Sequence, residues 1–563
     1  MSKRLDLVFL WHMHQPDYRD HRSGEFVLPW VYLHALKDYT DMAGHLERHP
    51  GIKAVVNFVP VLAEQIESYV AQFESGRFHD PLLRMLAAPD LEQLDAQSRE
   101  LLTQACFRSN HDTMLAPFPH YKRLHDIYHA LVPKGAEAEP SLAYLSGSYF
   151  TDLITWYHLA WTGETERRAW PLLTDLMKKG EAYTWEDRCA LLALLGEILR
   201  KLLPRYRALA QAGRIELSST PQTHPLSPLL LDFTVARDGV PDAPLPAAPG
   251  YPGGAARVAA QISAAQASHA QRFGTAPVGM WPAEGAVSEA FVTQLAAQGV
   301  HWAASGEGVL RASLHRSQLE DPAPAYHPWE LTGAPGLTLF FRDDRLSDLI
   351  GFEYSKWHGE NAARHLVGEL EGIAARAPAG ETPVVCIILD GENAWEHYPY
   401  NGYYFFEELY TRLKAHETIR CTTFAELLAE GLPSRKPLPR LSAGSWVYGT
   451  LSTWIGDPDK NRAWDLLCEA KLAYDAEVAR LSTAEQAAAS AQLAICESSD
   501  WFWWFGDYNP SGAVASFDRL YRRNLANLYA TLHLPAPPEL AVPISAGNRA
   551  ATHDGTMRRA LET

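Results

Sequence analysis

The sequence has no apolar run long enough to cross a bilayer, and its opening, MSKRLDLVFLWHMHQP, carries only Leu-Val-Phe-Leu-Trp before His12. That is short of both a signal core and a spanning helix. The chain is therefore expected in the cytoplasm. Positive charge is sparse: 50 Lys and Arg stand against 67 Asp and Glu, the formal net charge is −17, and no basic block interrupts it. Nucleic acid and an anionic membrane surface would be repelled, so both are set aside as partners. Cysteine is scarce too. The six, Cys106, Cys189, Cys386, Cys421, Cys468 and Cys496, lie far apart with no CxxC spacing. Neither a zinc ribbon nor a disulfide framework is expected, and buried reduced thiols are the simple reading. No internal repeat or appended sheet-rich sugar-binding module is apparent, and nothing in the sequence sets an oligomeric state.

What the chain does have is length and apolar content, 563 residues at 47% hydrophobic and 21% charged, enough for one large core and a smaller second domain. Short β-branched or apolar runs start near Leu5, Lys53, Gly213, Ala276, Gly299, Leu337 and Pro383. Helical patterns such as AARVAAQISAAQASHAQRF and SEAFVTQLAAQ separate them. Strand followed by helix, repeated, predicts an α/β fold whose parallel sheet is closed or nearly closed into a TIM-like barrel. The barrel is expected over residues 1–430 with a helical insertion at about 85–210, then a helical C-terminal domain over 431–535 and a disordered tail over 536–563.

Nearly every apolar run ends in polar residues: HMHQP, IELSSTPQTHP, WPAE, ASGEG, FRDDRLSD and LDGENAW. In parallel α/β barrels that is the end where active sites are built. Helix N-caps would account for single acids but not for the His, Trp and Tyr beside them. Glu284 and Asp390 stand out as a pair, each following an apolar run and set among Trp or Gly rather than Lys and Arg. Partial desolvation raises a carboxyl pKa, and glycoside cleavage needs two such groups. The chain also carries 17 Trp and 24 Tyr, whose faces suit sugar rings. Core packing is the competing reading for the WFWW cluster at Trp501, Trp503 and Trp504.

Several groups remain open. His12 and His14 alternate on a strand and could bind metal if Asp343, Asp344 or Asp348 joined them, which would suit a metal-dependent polysaccharide deacetylase. Arg342 and Arg345 could equally hold those aspartates in ion pairs. Glu307 and Glu392 could exchange roles with the favoured pair. The Pro/Gly-rich stretch 236–258 reads as a surface loop, either a lid or acceptor-site wall over the cleft or an inert insertion.

Five stretches taken in order, HMHQP (His12–Pro16), GRIELSSTPQTHPLSPLL (Gly213–Leu230), GMWPAEGAVS (Gly279–Ser288), LDGENAWEHY (Leu389–Tyr398) and the Trp-rich segment Gly444–Leu467, resemble family 57 of the glycoside hydrolases. The resemblance implies an incomplete (β/α)7 barrel followed by a helical region, retaining chemistry on α-glucans, and no required metal or other cofactor. It places the nucleophile on Glu284 and the acid/base on Asp390. Sugar contacts fall by motif position on His14, Glu216, His224, Trp281 and Trp395, and more loosely on Trp446 and Trp454. Other stretches look more like the amylase and amylopullulanase members than the branching-enzyme type. The implied activity is α-1,4-glucan hydrolysis, with 4-α-glucanotransfer or α-1,6 cleavage as alternatives. A non-catalytic glucan-binding protein is the alternative of another class.

Overall fold

A computed structural model describes residues 4–132, 139–432, 434–548 and 557–558. Ten strands form one sheet: β1 (Leu5–Met13), β2 (Ala54–Phe58), β3 (Ile215–Ser219), β4 (Gly279–Met280), β5 (Trp302–Gly306), β6 (Trp329–Leu331), β7 (Thr338–Arg342), β8 (Val384–Asp390), β9 (Ile419–Cys421) and β10 (Lys436–Leu438). Seven of them, in the order β7, β5, β4, β3, β2, β1, β8, pair in parallel, and the single register pair Arg342 with Cys386 closes the ring. This is a (β/α)7 barrel built from the seven apolar runs. Outside it, β6 lies antiparallel to β7 with β10 beside it, and β9 pairs with β1.

The alternation along each strand explains where the polar groups go. Strand β1 is buried at every position, because helices cover a parallel barrel outside and side chains fill it inside. Side chains two apart share a face. Val8 and Leu10 belong to the inner core with Val55, Phe340, Cys386 and Ile388. Continuing each inner row toward the carboxyl end brings His12, Asn57, Arg342 and Asp390, in a layer where His12 is in register with both Asn57 and Asp390. The barrel is thus apolar through its middle and ends in a polar ring. At the other end, the helix Phe424–Glu430 inserts Phe424, whose ring meets Trp302 at 4.4 Å and Phe340 at 4.3 Å.

Between β2 and β3 the chain is helical from Pro60–Ser75 to the long Trp185–Gln211. Past the barrel come the helices Pro458–Glu477, Thr483–Cys496, Ser499–Trp504 and Ser511–Thr531. They are fastened to the barrel helix Gly254–Phe273 by Glu497, a buried carboxylate that accepts from Arg257 Nε (2.6 Å), Gln261 Nε2 (2.7 Å) and Tyr251 OH (2.7 Å). The loop 236–258 is not a free insertion. Its Ala248 N–H donates to Asp465 Oδ1 at 2.8 Å and its Tyr251 to Glu497, so it is packed against those helices. The expected disordered tail is corrected over 536–548. Leu540 is buried, its carbonyl accepts from Arg522 Nη1 at 2.9 Å, and Ile544 N–H donates to Asp518 at 2.7 Å. The rest of that tail, apart from 557–558, lies outside the described residues. No helix among the described residues is long and apolar enough to cross a membrane.

Candidate active site

Strand β4 is only two residues long, and the chain leaves it through a 3-10 turn over Ala283–Gly285. Glu284 sits in that turn at φ 58°, a left-handed conformation costly for a residue with a Cβ and typical of functional positions. Gly285 beside it also has φ 58°, and a Cβ there would lie 2.8 Å from the Trp281 ring, so only glycine fits. Trp281 itself is fully buried and packs edge-on against Trp446 at 5.2 Å. Trp446 is tied to Glu284 twice. Its N–H donates to the Glu284 carbonyl at 3.1 Å and its Nε1 to Glu284 Oε2 at 3.2 Å.

Asp390 closes β8, half-buried, with Asn393 Nδ2 donating to its Oδ2 at 2.8 Å. Burial raises its pKa, while the hydrogen bond from Asn393 and the nearby His14 and Arg342 pull it down. Burial pushes Glu284 up to about 8, reinforced by the neighbouring carboxylates Asp500 and Asp390 and only partly offset by Trp446 and Ser499. Two carboxyls with raised pKa values, Asp390 acting on Glu284 as a like charge, therefore share the carboxyl end of one barrel. Such a pair can exchange protons with a bound substrate.

Three imidazoles complete the floor. His12 of β1 and His14 just after it meet His224, which follows β3 and has φ 62°; the His14 and His224 rings stack at 3.8 Å. His14 Nε2 contacts both oxygens of Asp500, at 2.9 and 3.1 Å. The ligand atoms of His14, His224 and Asp500 lie within 4.8 Å of one another, which makes them the group to test for a metal. Most of their ligand atoms already bond within the protein, and His14 Nδ1 is buried without a partner. Asp500 is taken by His14 Nε2, and both His224 nitrogens are engaged, by His12 at 3.1 Å and Ser499 at 2.7 Å. Nor do the aspartates after β7 reach the histidines. Arg342 binds Asp344 and Asp348 at 2.9 Å each, and Asp343 caps the following helix while accepting from Tyr326. Arg345 pairs instead with Glu369.

The sequence profile of glycosyl hydrolase family 57 matches residues 8–436. The chain belongs to that family. Comparison with curated protein sequences gives no match. Family 57 structures share the fold. A branching enzyme from Thermococcus kodakaraensis aligns with a TM-score of 0.59 at 17% identity, covering 94% of this chain and 90% of its own. An alpha-amylase from Thermotoga maritima gives 0.55 at 13%, covering 94% of both chains. A 4-alpha-glucanotransferase from Thermococcus litoralis gives 0.52 at 13%, covering 94% of this chain and 60% of its own.

Within this family 57 barrel, Glu284, Asp390, His14, His224, Trp281 and Trp446 come together, and three expected sugar contacts do not. Glu216 lies on β3 two residues short of the polar ring. Its carboxylate accepts from Trp302 Nε1 (2.7 Å) and from Ala425 N–H (2.9 Å) of the helix that closes the opposite end. Trp395 is buried against Trp11 and Phe406 with its Nε1 donating to Gly391 O. Trp454 is buried in the helical region, where its carbonyl accepts from Trp464. Glu307 pairs with Arg311 at the start of its helix, and Glu392 is buried behind Asp390 with Gln15 donating to it. Two residues were missed, Ser499 and Asp500. They sit in the SSDWFWW stretch, where the tryptophans drew attention away from the short polar side chains before them.

The changed position of Glu216 gives a test. Glu216→Ala strands two buried N–H donors and opens a cavity, a loss of about 2–4 kcal/mol. The thermal midpoint is expected to fall while kcat/KM on the substrate holds, the reverse of what a sugar ligand would show.

Proposed function

We propose that this protein is a retaining enzyme acting on α-1,4-glucans, most simply an endo-acting amylase, with Glu284 as nucleophile and Asp390 as general acid/base. The observation that carries this reading is the placing of two half-buried carboxyls at the carboxyl end of one barrel, each with a raised pKa and Glu284 raised in part by the charge of Asp390. In the first half-reaction Glu284 attacks the anomeric carbon while Asp390 protonates the departing oxygen. In the second, Asp390 takes a proton from water or an acceptor sugar as that group displaces Glu284. The half-buried Trp446 offers a ring beside the nucleophile, and His14 and His224 offer the polar wall. The solved family 57 structures named above as amylase, glucanotransferase and branching enzyme support an α-glucan as substrate. Six free cysteines support a reducing, cytoplasmic setting.

The glucanotransferase reading shares every step up to the glycosyl-enzyme and differs only in what intercepts it. Maltoheptaose separates the two. Hydrolysis gives shorter sugars only, with new reducing ends, and this is the expected outcome. A ladder running both shorter and longer at constant reducing ends would assign transfer instead, and new α-1,6 branch points would assign branching. Turnover is expected to withstand a chelator; abolition by one would overturn the two-carboxyl reading.

A further inference from the structure

Ser499 makes two contacts that a single hydroxyl proton cannot serve as donor at once. Its Oγ lies 2.7 Å from His224 Nδ1 and 3.3 Å from Glu284 Oε1. Which contact receives the proton follows from the chain of bonds beyond it. The Asn57 amide donates through Nδ2 to Ser218 Oγ at 3.0 Å, so its oxygen faces Thr220 Oγ1 (3.0 Å) and His12 Nδ1 (2.7 Å) and accepts from both. Burial and the nearby His14 push His12 down to about 3, so the ring is neutral and its only proton is on Nδ1. His12 Nε2 is then bare and must accept from His224 Nε2, 3.1 Å away. His224, whose pKa burial lowers well below the ordinary value, is also neutral and presents a bare Nδ1. Ser499 donates there. Its contact with Glu284 is satisfied only if Glu284 Oε1 carries a proton and donates to Ser499 Oγ, while Trp446 donates to Oε2. The chain Glu284, Ser499, His224, His12, Asn57 has one direction throughout.

We propose that Ser499 is a positioning residue that carries the proton of Glu284 to His224, so that the carboxylate is formed within the site at the moment of attack. This rests on Glu284 as the nucleophile. In the step, the Glu284 O–H bond breaks as an O–H bond forms at Ser499 Oγ, and the original Ser499 proton passes to His224 Nδ1. A carboxyl and a neutral ring become a carboxylate and an imidazolium, so an opposite pair of charges forms while the net charge of the site is unchanged. The imidazolium forms next to Asp500, whose carboxylate lies among the same cluster of atoms. It keeps its Nε2 bond to His12. The charged and titratable groups around the relay are Asp390 and Asp500 facing Glu284, and His12, His14 and Asp500 facing His224. When Glu284 is released in the second half-reaction the proton returns by the same route. The fold supplies the relay by joining distant segments. Ser499 N–H donates to the His224 carbonyl at 2.9 Å, which locks the helix Ser499–Trp504 to the strained residue after β3.

The test is a pH profile of kcat/KM for Ser499→Ala and Ser499→Thr beside Glu284→Gln. Without the hydroxyl, Glu284 loses both its proton outlet and the donor that would steady its carboxylate. Its proton is then held to higher pH. Ser499→Ala is expected to lower kcat by about 10²-fold or more with KM little changed, and to move the acid limb upward. Ser499→Thr, which keeps a hydroxyl, is expected to restore both. Infrared difference spectra following the protonated carboxyl of Glu284 are expected to show the same upward move without substrate. An unmoved acid limb and carboxyl band in Ser499→Ala, or a threonine variant as impaired as the alanine one, would overturn the relay. If Glu284→Gln keeps its turnover, the nucleophile assignment falls first, and the infrared titration still reports the relay on its own.

Discussion

Glu284→Gln is expected to abolish turnover, by about 10⁴-fold or more as with removal of other nucleophiles, while glucan binding and the fold survive. The amide cannot attack an anomeric carbon. It can still accept from Trp446 Nε1 through its oxygen and donate to Ser499 Oγ through its nitrogen, the pattern that protonated Glu284 already makes. Stability should respond in a definite direction. The folded pKa of Glu284, about 8, stands above its ordinary 4.5. Its contribution is therefore complete below 4.5 and is lost as pH rises toward 8, because the unfolded chain ionises first. The glutamine variant lacks that loss. Its thermal midpoint is expected to gain on the wild type between pH 4.5 and 8, and activity and melting measured on one preparation check both halves. A variant that hydrolyses maltoheptaose normally would remove Glu284 from the chemistry.

The second large effect is expected from Asp390→Asn, and it depends on the leaving group. A sugar leaves as a poor alkoxide and needs the proton, so loss of about 10²–10⁴-fold is expected on maltoheptaose. A maltoside with an acidic nitrophenol leaving group needs little proton donation, and its glycosylation step is expected to be nearly normal. Deglycosylation also needs Asp390, so a burst of nitrophenol followed by slow release is the expected trace. Equal losses on both substrates, without a burst, would assign Asp390 a structural role. The like charge of Asp390 helps raise Glu284, so in Asp390→Asn the acid limb should move down.

The barrel was legible because its seven strands carry apolar runs buried on both faces, and each run ends in polar residues as the inner row leaves the core. The same rule, applied residue by residue, shows why Glu216 misled. It lies on an inner row but below the polar layer, and strand position rather than motif membership decides which end of a barrel a side chain serves. Trp395 and Trp454 misled in another way. Nearness in sequence to Asp390 or Trp446 does not say which way a ring turns, and both rings point into cores. Ser499 reaches Glu284 across 215 residues of chain, so no local pattern could join them. The lock between Glu497 and Arg257, the bond from Ser499 N–H to the His224 carbonyl and the left-handed turn at His224 bring that wall to the cleft.

That wall has a consequence for the order in which the protein becomes active. A ribosome releases β8 and Asp390 well before the segment that holds Ser499 and Asp500. A nascent chain with a finished barrel therefore has both acidic groups yet an open side to its cleft, with water free to reach the nucleophile and nowhere to lodge its proton. Turnover is therefore expected only once the helices that carry Ser499 and Asp500 have docked on the barrel.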